Sequence, residues 1–342
     1  CAGLADPQLL ADELPDLDLF HPWQLPVEQA IELARRCEDS ARAVDARISN
    51  SEGASVSVQA NQFVYANSNG FNGGFASSRH SLSAAVVAEQ GGVMQRDYWY
   101  SSARHRDDLA QVEEIGRIAG ERAVRRLGGR RLKTGQYPVL FEAPVAMSLV
   151  GHLIAAISGG SLYRKSSFLL DSLGKPVMSK QMVIDEDPFL LRGLASSPFD
   201  NEGVATQSRR LVDDGVLQGY LLGSYSARKL GMQTTGNAGG SHNLVVHSTG
   251  ESFAELLGQM GSGLLVTELL GQGVNTVTGD YSRGAAGFWV ENGVIAYPVE
   301  EITIAGNLRD MFLNIEAVGT DVLDRGGRRM GSVLIGGMMV AG

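Results

Sequence analysis

Apolar positions along the chain fall into two textures, and the change comes near residue 133. Behind an acidic, proline-punctuated stretch at residues 12–26, Val27, Ala30, Ile31, Ala34, Cys37, Ala41 and Val44 recur at helical spacing, which predicts an amphipathic helix opened by a proline. Between residues 54 and 100 the apolar runs become short, β-branched and aromatic (Val56 and Val58, then residues 63–65, 85–88 and 98–100), with breaks at Asn67-Ser-Asn-Gly70 and Gln90-Gly-Gly92. Antiparallel strands are the natural reading. A second helix is expected from a cap at Asp107-Asp108 through Leu109, Val112, Ile115 and Ala119 to Leu127, where Gly128-Gly129 stops it. Beyond Lys133-Thr-Gly-Gln136, residues 138–141 read as a strand and the apolar run 145–158 as a buried helix, followed by Gly-rich hairpins. Two hairpin turns are well signalled, at Asp214-Gly215 and Asn292-Gly293, since these pairs accept the positive φ of tight turns. Short helices are expected at 252–260 and 308–318. The pattern predicts an α+β chain: a leading segment or linker at 1–25, a helix-flanked antiparallel sheet module at 26–132, and a Gly-rich, mostly antiparallel β domain at 133–342.

Composition narrows the function classes. Glycine supplies 43 of 342 residues, close to twice the usual share of about 7% and without a collagen-like period, which fits many turns and bulges. The formal net charge of −9 argues against a general nucleic-acid binder, which needs a basic footprint. The basic run at residues 125–133 reads instead as cations in the last turn of a helix, complementing its dipole. Two cysteines, Cys1 and Cys37, cannot build a disulfide framework or a cysteine-rich metal site, so a reducing, cytoplasmic setting is expected. No apolar run reaches the length of a membrane span; the longest, at 145–157, is interrupted by Gly151 and His152. The opening Cys-Ala-Gly, without Met or a leader, is read as the start of a fragment.

Candidate chemistry is sparse. The six histidines (His21, His80, His105, His152, His242, His247) include no His-Glu-x-x-His pair. His242 and His247, five apart, would face opposite sides of a strand. His152, alone in an apolar helix, reads as a satisfied core histidine. Ser226-Ala-Arg-Lys229 and Lys133-Thr-Gly135 match two pieces of a penicillin-recognising serine site, but in the wrong order and without S-D-N between them. No G-x-S-x-G elbow, G-x-G-x-x-G or P-loop is present. Two polar clusters remain as candidate cleft walls. Ser161-Leu-Tyr-Arg-Lys-Ser-Ser167 follows Gly159-Gly160, and residues 279–287 hold a charged pair among three glycines. Either could equally be a solvated loop.

Longer blocks carry a resemblance. Gly151-His-Leu-Ile-Ala-Ala-Ile-Ser-Gly-Gly-Ser-Leu-Tyr-Arg-Lys165, Phe168-Leu-Leu-Asp-Ser-Leu-Gly-Lys175, Gly193-Leu-Ala-Ser-Ser-Pro-Phe-Asp200, Ser224-Tyr-Ser-Ala-Arg-Lys-Leu-Gly231 and Thr278-Gly-Asp-Tyr-Ser-Arg-Gly-Ala-Ala-Gly-Phe-Trp-Val-Glu-Asn-Gly293 resemble the TldD/PmbA family, more closely its PmbA (TldE) branch. The resemblance covers essentially the whole chain and implies that the family's first N-terminal module is missing from it. It implies a barrel-like second domain and a heterodimeric cytoplasmic metalloprotease, also labelled a modulator of DNA gyrase. In that pair a TldD-type partner binds zinc through a His-Glu-x-x-x-His helix plus a distant thiol, and the PmbA-type subunit completes the chamber.

Set against the TldD pattern, Gly151, His152 and Ala156 stand where the partner has its first His, its Glu and its second His, and the thiol falls near Met330. No zinc is therefore expected in this chain, nor any other cofactor, and no catalytic residue. The resemblance further implies unfolded peptides, including peptide-antibiotic precursors, as substrates, and self-association of the isolated chain. Tyr163, Arg164, Lys165, Asp280 and Arg283 are candidate substrate-facing or partner-facing residues. Two other readings stay open: a non-enzymatic protein-binding regulator, and a serine amidase using Ser226 and Lys229.

Overall fold

The structure is a computed structural model in which residues 3–342 are described; Cys1 lies outside them. The first module holds helix α1 (Val27–Arg42), strands β1 (Ile48–Ala66), β2 (Asn72–Gln90) and β3 (Val93–Ala103), and helix α2 (Val112–Arg125). The strands form one antiparallel sheet in sequence order, turning at the expected Asn and Gly breaks. On β2, Ser78, His80, Leu82, Ala84, Val86 and Ala88 are buried in strict alternation, and α1 and α2 cover this face through Cys37, Ala41, Val112, Ile115, Ala119 and Ala123. The helices meet backbone to backbone. A Cβ on Gly116 would sit 2.1 Å from the Cys37 carbonyl oxygen, and one on Gly120 2.5 Å from that of Ala41.

Two expectations for this module need correction. The strands are far longer than the apolar runs, at 19, 19 and 11 residues, because serine, asparagine and glutamine fill their exposed positions and hide the period. The Asp107-Asp108 pair does not cap α2. It lies in a 3-10 turn (Arg106–Asp108) where the His105 ring accepts the Asp107 amide at 3.1 Å, and buried Leu109 keeps the backbone extended until α2 starts at Val112.

The second domain follows with β4 (Gly135–Phe141), α3 (Ala143–Ile157), α4 (Gly159–Tyr163), β5 (Ile184–Asp187), β6 (Arg209–Asp213), β7 (Val216–Leu217), α5 (Ser224–Leu230), β8 (Asn243–Val246) and α6 (Phe253–Met260). It ends with β9 (Gly263–Leu270), β10 (Asp280–Glu291), β11 (Val294–Asn307), α7 (Leu308–Leu313), β12 (Ile315–Val318), β13 (Leu323–Arg325), β14 (Arg328–Met330) and β15 (Val333–Ala341). Strands β4, β9, β10, β11 and β15 close into a five-stranded barrel, because Thr303, Ile304 and Ala305 of β11 pair with Ala341, Val340 and Met339 of β15. All its pairings are antiparallel except β4 with β9. A smaller sheet runs in the order β13-β14-β8-β5-β6-β7. Both signalled hairpins are present, with positive φ at Asp214, Gly215, Asn292 and Gly293. Helix α3 lies between barrel and small sheet, burying Ala146, Leu149, Val150, Leu153, Ala156 and Ile157 in the main core.

Three expected elements differ here. The single helix expected at 308–318 is α7 followed by β12, since Ile315, Ala317 and Val318 pair with β15. Gly159, Gly160 and Ser161 open a short helix rather than a loop. Asp280 to Arg283 are the first rungs of β10, paired with β11.

The domains are bolted together by Arg122, which is 7% exposed. Its guanidinium donates to Asp97 of β3 (3.2 Å), to Glu142 at the α3 N-cap (2.8 Å) and to the Thr267 carbonyl of β9 (3.4 Å), and lies 5.1 Å from the Trp99 ring centroid. The leading segment adds a seam, taking the Ser78 amide on the Leu19 carbonyl and the Arg192 amide on that of Leu17. Removing one partner from a buried ion network leaves uncompensated charge, at a cost of about 3–5 kcal/mol. Arg122→Ala should therefore lower urea-measured stability by that order, whereas a loss below about 1 kcal/mol, the range of an exposed pair, would show the network to be ornamental.

Candidate functional site

Gly151 and His152 lie where α3 meets the β13–β14 hairpin and β10. His152 is half-buried, and its ring meets that of Tyr281 edge-on at 5.9 Å. Tyr281 stands there because β10 alternates: Asp280 and Ser282 are exposed while Tyr281 and Arg283 share the other face. From the opposite side, the β13–β14 hairpin turns at Gly326-Gly327, both at positive φ, and pairs Arg325 with Arg328 and Leu323 with Met330 on one face. Asp324 and Arg329 fall on the other. Gly151 lets this hairpin approach: a Cβ there would lie 3.2 Å from an Arg328 guanidinium nitrogen, which donates to the Met147 carbonyl at 3.2 Å. Arg325 lies over Trp99 and Tyr100, 4.1 Å from each ring centroid.

The electrostatics are lopsided. None of Arg283, Arg325 and Arg328 has a carboxylate within ion-pair distance among the described residues. The nearby acids are already engaged, Asp97 and Glu142 by Arg122, and Glu268 by Arg126 at 2.5 Å. Nε2 of His152 and Nε of Arg283 are buried here and lack a hydrogen-bond partner. Burial, then the charges of Arg283 and Arg328, hold the His152 imidazole below its ordinary pKa. Burial pushes the Tyr281 hydroxyl up to about 12 against the opposing charge of Arg283 and a hydrogen bond with it, and burial alone lowers Arg328. A cleft of about 390 Å³ opens beside the cluster, lined by Arg283 and Arg325 together with Trp99, Ser148, Thr267 and Glu268.

This donor set does not fit zinc. Gly151 has no side chain, Ala156 is a fully buried methyl, and Met330 is a buried thioether packed in the core. His152 would be the single nitrogen ligand where three protein ligands are needed, and two guanidinium charges already face it. Among the described residues no three His, Cys, Asp or Glu side chains gather as a metal set.

The remaining candidates lie apart from this cleft. Arg164 stacks on Tyr163, which meets Tyr225 of α5 edge-on, and Lys165 sits at φ 56°. Asp280 accepts hydrogen bonds from Thr278 and Asn307 on the outer face of β10. Between the two groups, the Phe168 amide donates to the Thr276 carbonyl at 2.8 Å. Ser226 is buried and donates to the Gly223 carbonyl, while the Lys229 ammonium lies over Tyr225, so they do not form a nucleophile and base pair. His242 is buried against the Gly236 carbonyl and His247 is exposed beside Asp185. Tyr281 and Arg325 were not singled out from the sequence. The i, i+2 spacing of Tyr281 and Arg283 was the available signal, but it becomes informative only once residues 280–283 are known to be strand.

The lowered pKa of His152 has a definite sign. As pH falls, the unfolded chain takes up this proton first, near 6.5, so the contribution of neutral His152 is fully present above that value and is lost as pH drops below it. His152→Gln should flatten the fall in melting temperature between about pH 7 and 5; an unchanged slope would contradict a neutral, charge-flanked imidazole.

Comparison with known proteins agrees with this architecture. The profile of the PmbA/TldA metallopeptidase central domain matches residues 20–127, and that of the PmbA/TldA metallopeptidase C-terminal domain matches residues 134–342. The chain is 54% identical, over its whole length and 76% of the relative's, to metalloprotease PmbA of Escherichia coli O157:H7. It is 50% identical, with the same coverage, to a metalloprotease PmbA homolog of Haemophilus influenzae. A crystal structure from Bacteroides thetaiotaomicron, put forward as a modulator of DNA gyrase, superposes with a TM-score of 0.94 at 32% identity over 99% of this chain and 78% of that one. The chain belongs to the PmbA/TldD metallopeptidase family.

Proposed function

We propose that this chain is the non-metal-binding subunit of a two-component cytoplasmic metalloprotease that degrades or processes unfolded peptides, peptide-antibiotic precursors among them. The observation that carries the reading is the composition of α3 and its neighbours. Set against the zinc helix that the resemblance implies for a TldD-type subunit, α3 offers glycine and alanine where histidines would stand, with the Arg328 guanidinium packed against the glycine. Without three ligands no metal-bound water can be generated. Zinc and the attack on the peptide bond then belong to a TldD-like partner in a heterodimer, while this chain supplies chamber wall; alone it can self-associate. The cytoplasmic assignment rests on the low cysteine usage, and no described helix is long and apolar enough to cross a membrane.

Cleavage of a disordered peptide should be near background with either subunit alone and rise by orders of magnitude on mixing. Full activity of this chain without a partner would overturn the proposal. Ser226→Ala should leave the mixed activity unchanged, since that hydroxyl is buried against Gly223 and Gly159; a large loss would revive the serine amidase. A stand-alone regulator is favoured by the description of similar solved structures as modulators of DNA gyrase. It would act on its target equally well with the peptidase partner absent, and strong synergy in cleavage excludes it.

A further inference from the structure

We propose that the cleft between β3, α3, β9, β10 and the β13–β14 hairpin binds a peptide carboxylate, with Arg283 and Arg325, which both line it, as the cationic clamp. The peptide half of this statement rests on the function proposed above; the carboxylate half rests on the site itself.

Burial disfavours the charged forms of Arg325 and Arg328. A chain that simply needed filler here would carry apolar side chains at no such cost. The charges are held in place nonetheless. Arg328 is fixed by the Met147 carbonyl and the absence of a side chain at Gly151, Arg325 by the two aromatic rings beneath it, and Arg283 by strand register. Buried donors are ordinarily satisfied, yet Nε of Arg283 is not, and neither Arg283 nor Arg325 has an ion pair among the described residues. No carboxylate of the chain is available to them, because Asp97, Glu142 and Glu268 are taken by Arg122, Arg125 and Arg126, and Asp324 lies on the far face of the hairpin. The missing partner is therefore an acceptor from outside.

A guanidinium presents a planar fork of donors that matches a carboxylate in two parallel hydrogen bonds. In a chamber that handles peptides, such an acceptor is either the C-terminal carboxylate or an Asp or Glu side chain.

Three peptides of one sequence separate these sources: free acid, C-terminal amide, and amide with one internal glutamate. Their affinities for this chain, alone and mixed with its zinc-binding partner, can be measured by calorimetry. At low salt the free acid, the glutamate peptide or both should bind at least about tenfold more tightly than the plain amide, the worth of one charge-assisted hydrogen bond. Raising salt from about 0.05 to about 0.5 M should shrink that preference. Arg283→Gln and Arg325→Gln should each abolish it while keeping a cooperative melting transition. The proposal is overturned if acid and amide bind alike or not at all in both settings, or if both variants keep the preference. Synergistic cleavage by the parent pair without any acid preference would sink this proposal alone; acid preference without synergy would sink only the function it builds on.

Discussion

One buried guanidinium holds the two halves of this protein in register. Arg122 leaves the second helix of the first module and reaches the last strand of its own sheet, the cap of α3 and a barrel strand. Ion pairs of this kind add little net stability compared with apolar packing, but they are intolerant of displacement, since moving any member leaves a charge without water or partner. The orientation of α3 against the sheet module is therefore fixed by geometry rather than by area. Trp99 extends the constraint: Arg122 lies over its ring at 5.1 Å and Arg325 at 4.1 Å, so the hairpin carrying Arg325 and Arg328 takes its position from the same indole.

The cleft beside that hairpin is the inverse of a zinc site. A zinc enzyme gathers anionic or neutral donors around a cation and leaves one coordination place open. Here the gathered groups are cations around a neutral imidazole, and the open place is one that an anion would fill. Gly151 makes room for the Arg328 guanidinium.

Much of the scaffold was legible in local pattern. The spacing of α1, the apolar run of α3 and the Asp-Gly and Asn-Gly turns each encode their structure within a dozen residues, and each is found where expected. The long strands were not, because the exposed faces of β1 and β2 are written in serine, asparagine and glutamine, residues that do not advertise a sheet. Ile315 to Val318 looked helical because a stretch of four residues carries no decisive period; pairing with β15 decides it. Barrel closure depends on Thr303 to Ala305 meeting Met339 to Ala341, a contact with no local signature. Of the cation cluster, Arg283 was named as a candidate from the sequence, whereas Tyr281, Arg325 and Arg328 are placed near it only by strand register and a glycine hairpin.

The central claim is that the metal belongs to the partner and the cation cleft to this chain. Its most direct test is zinc analysis of the two subunits, co-purified as a pair and then separated. The account predicts close to one zinc per partner chain and none above background in this one, before and after incubation with the metal. Stoichiometric zinc retained by this chain, and lost on His152→Ala, would contradict it.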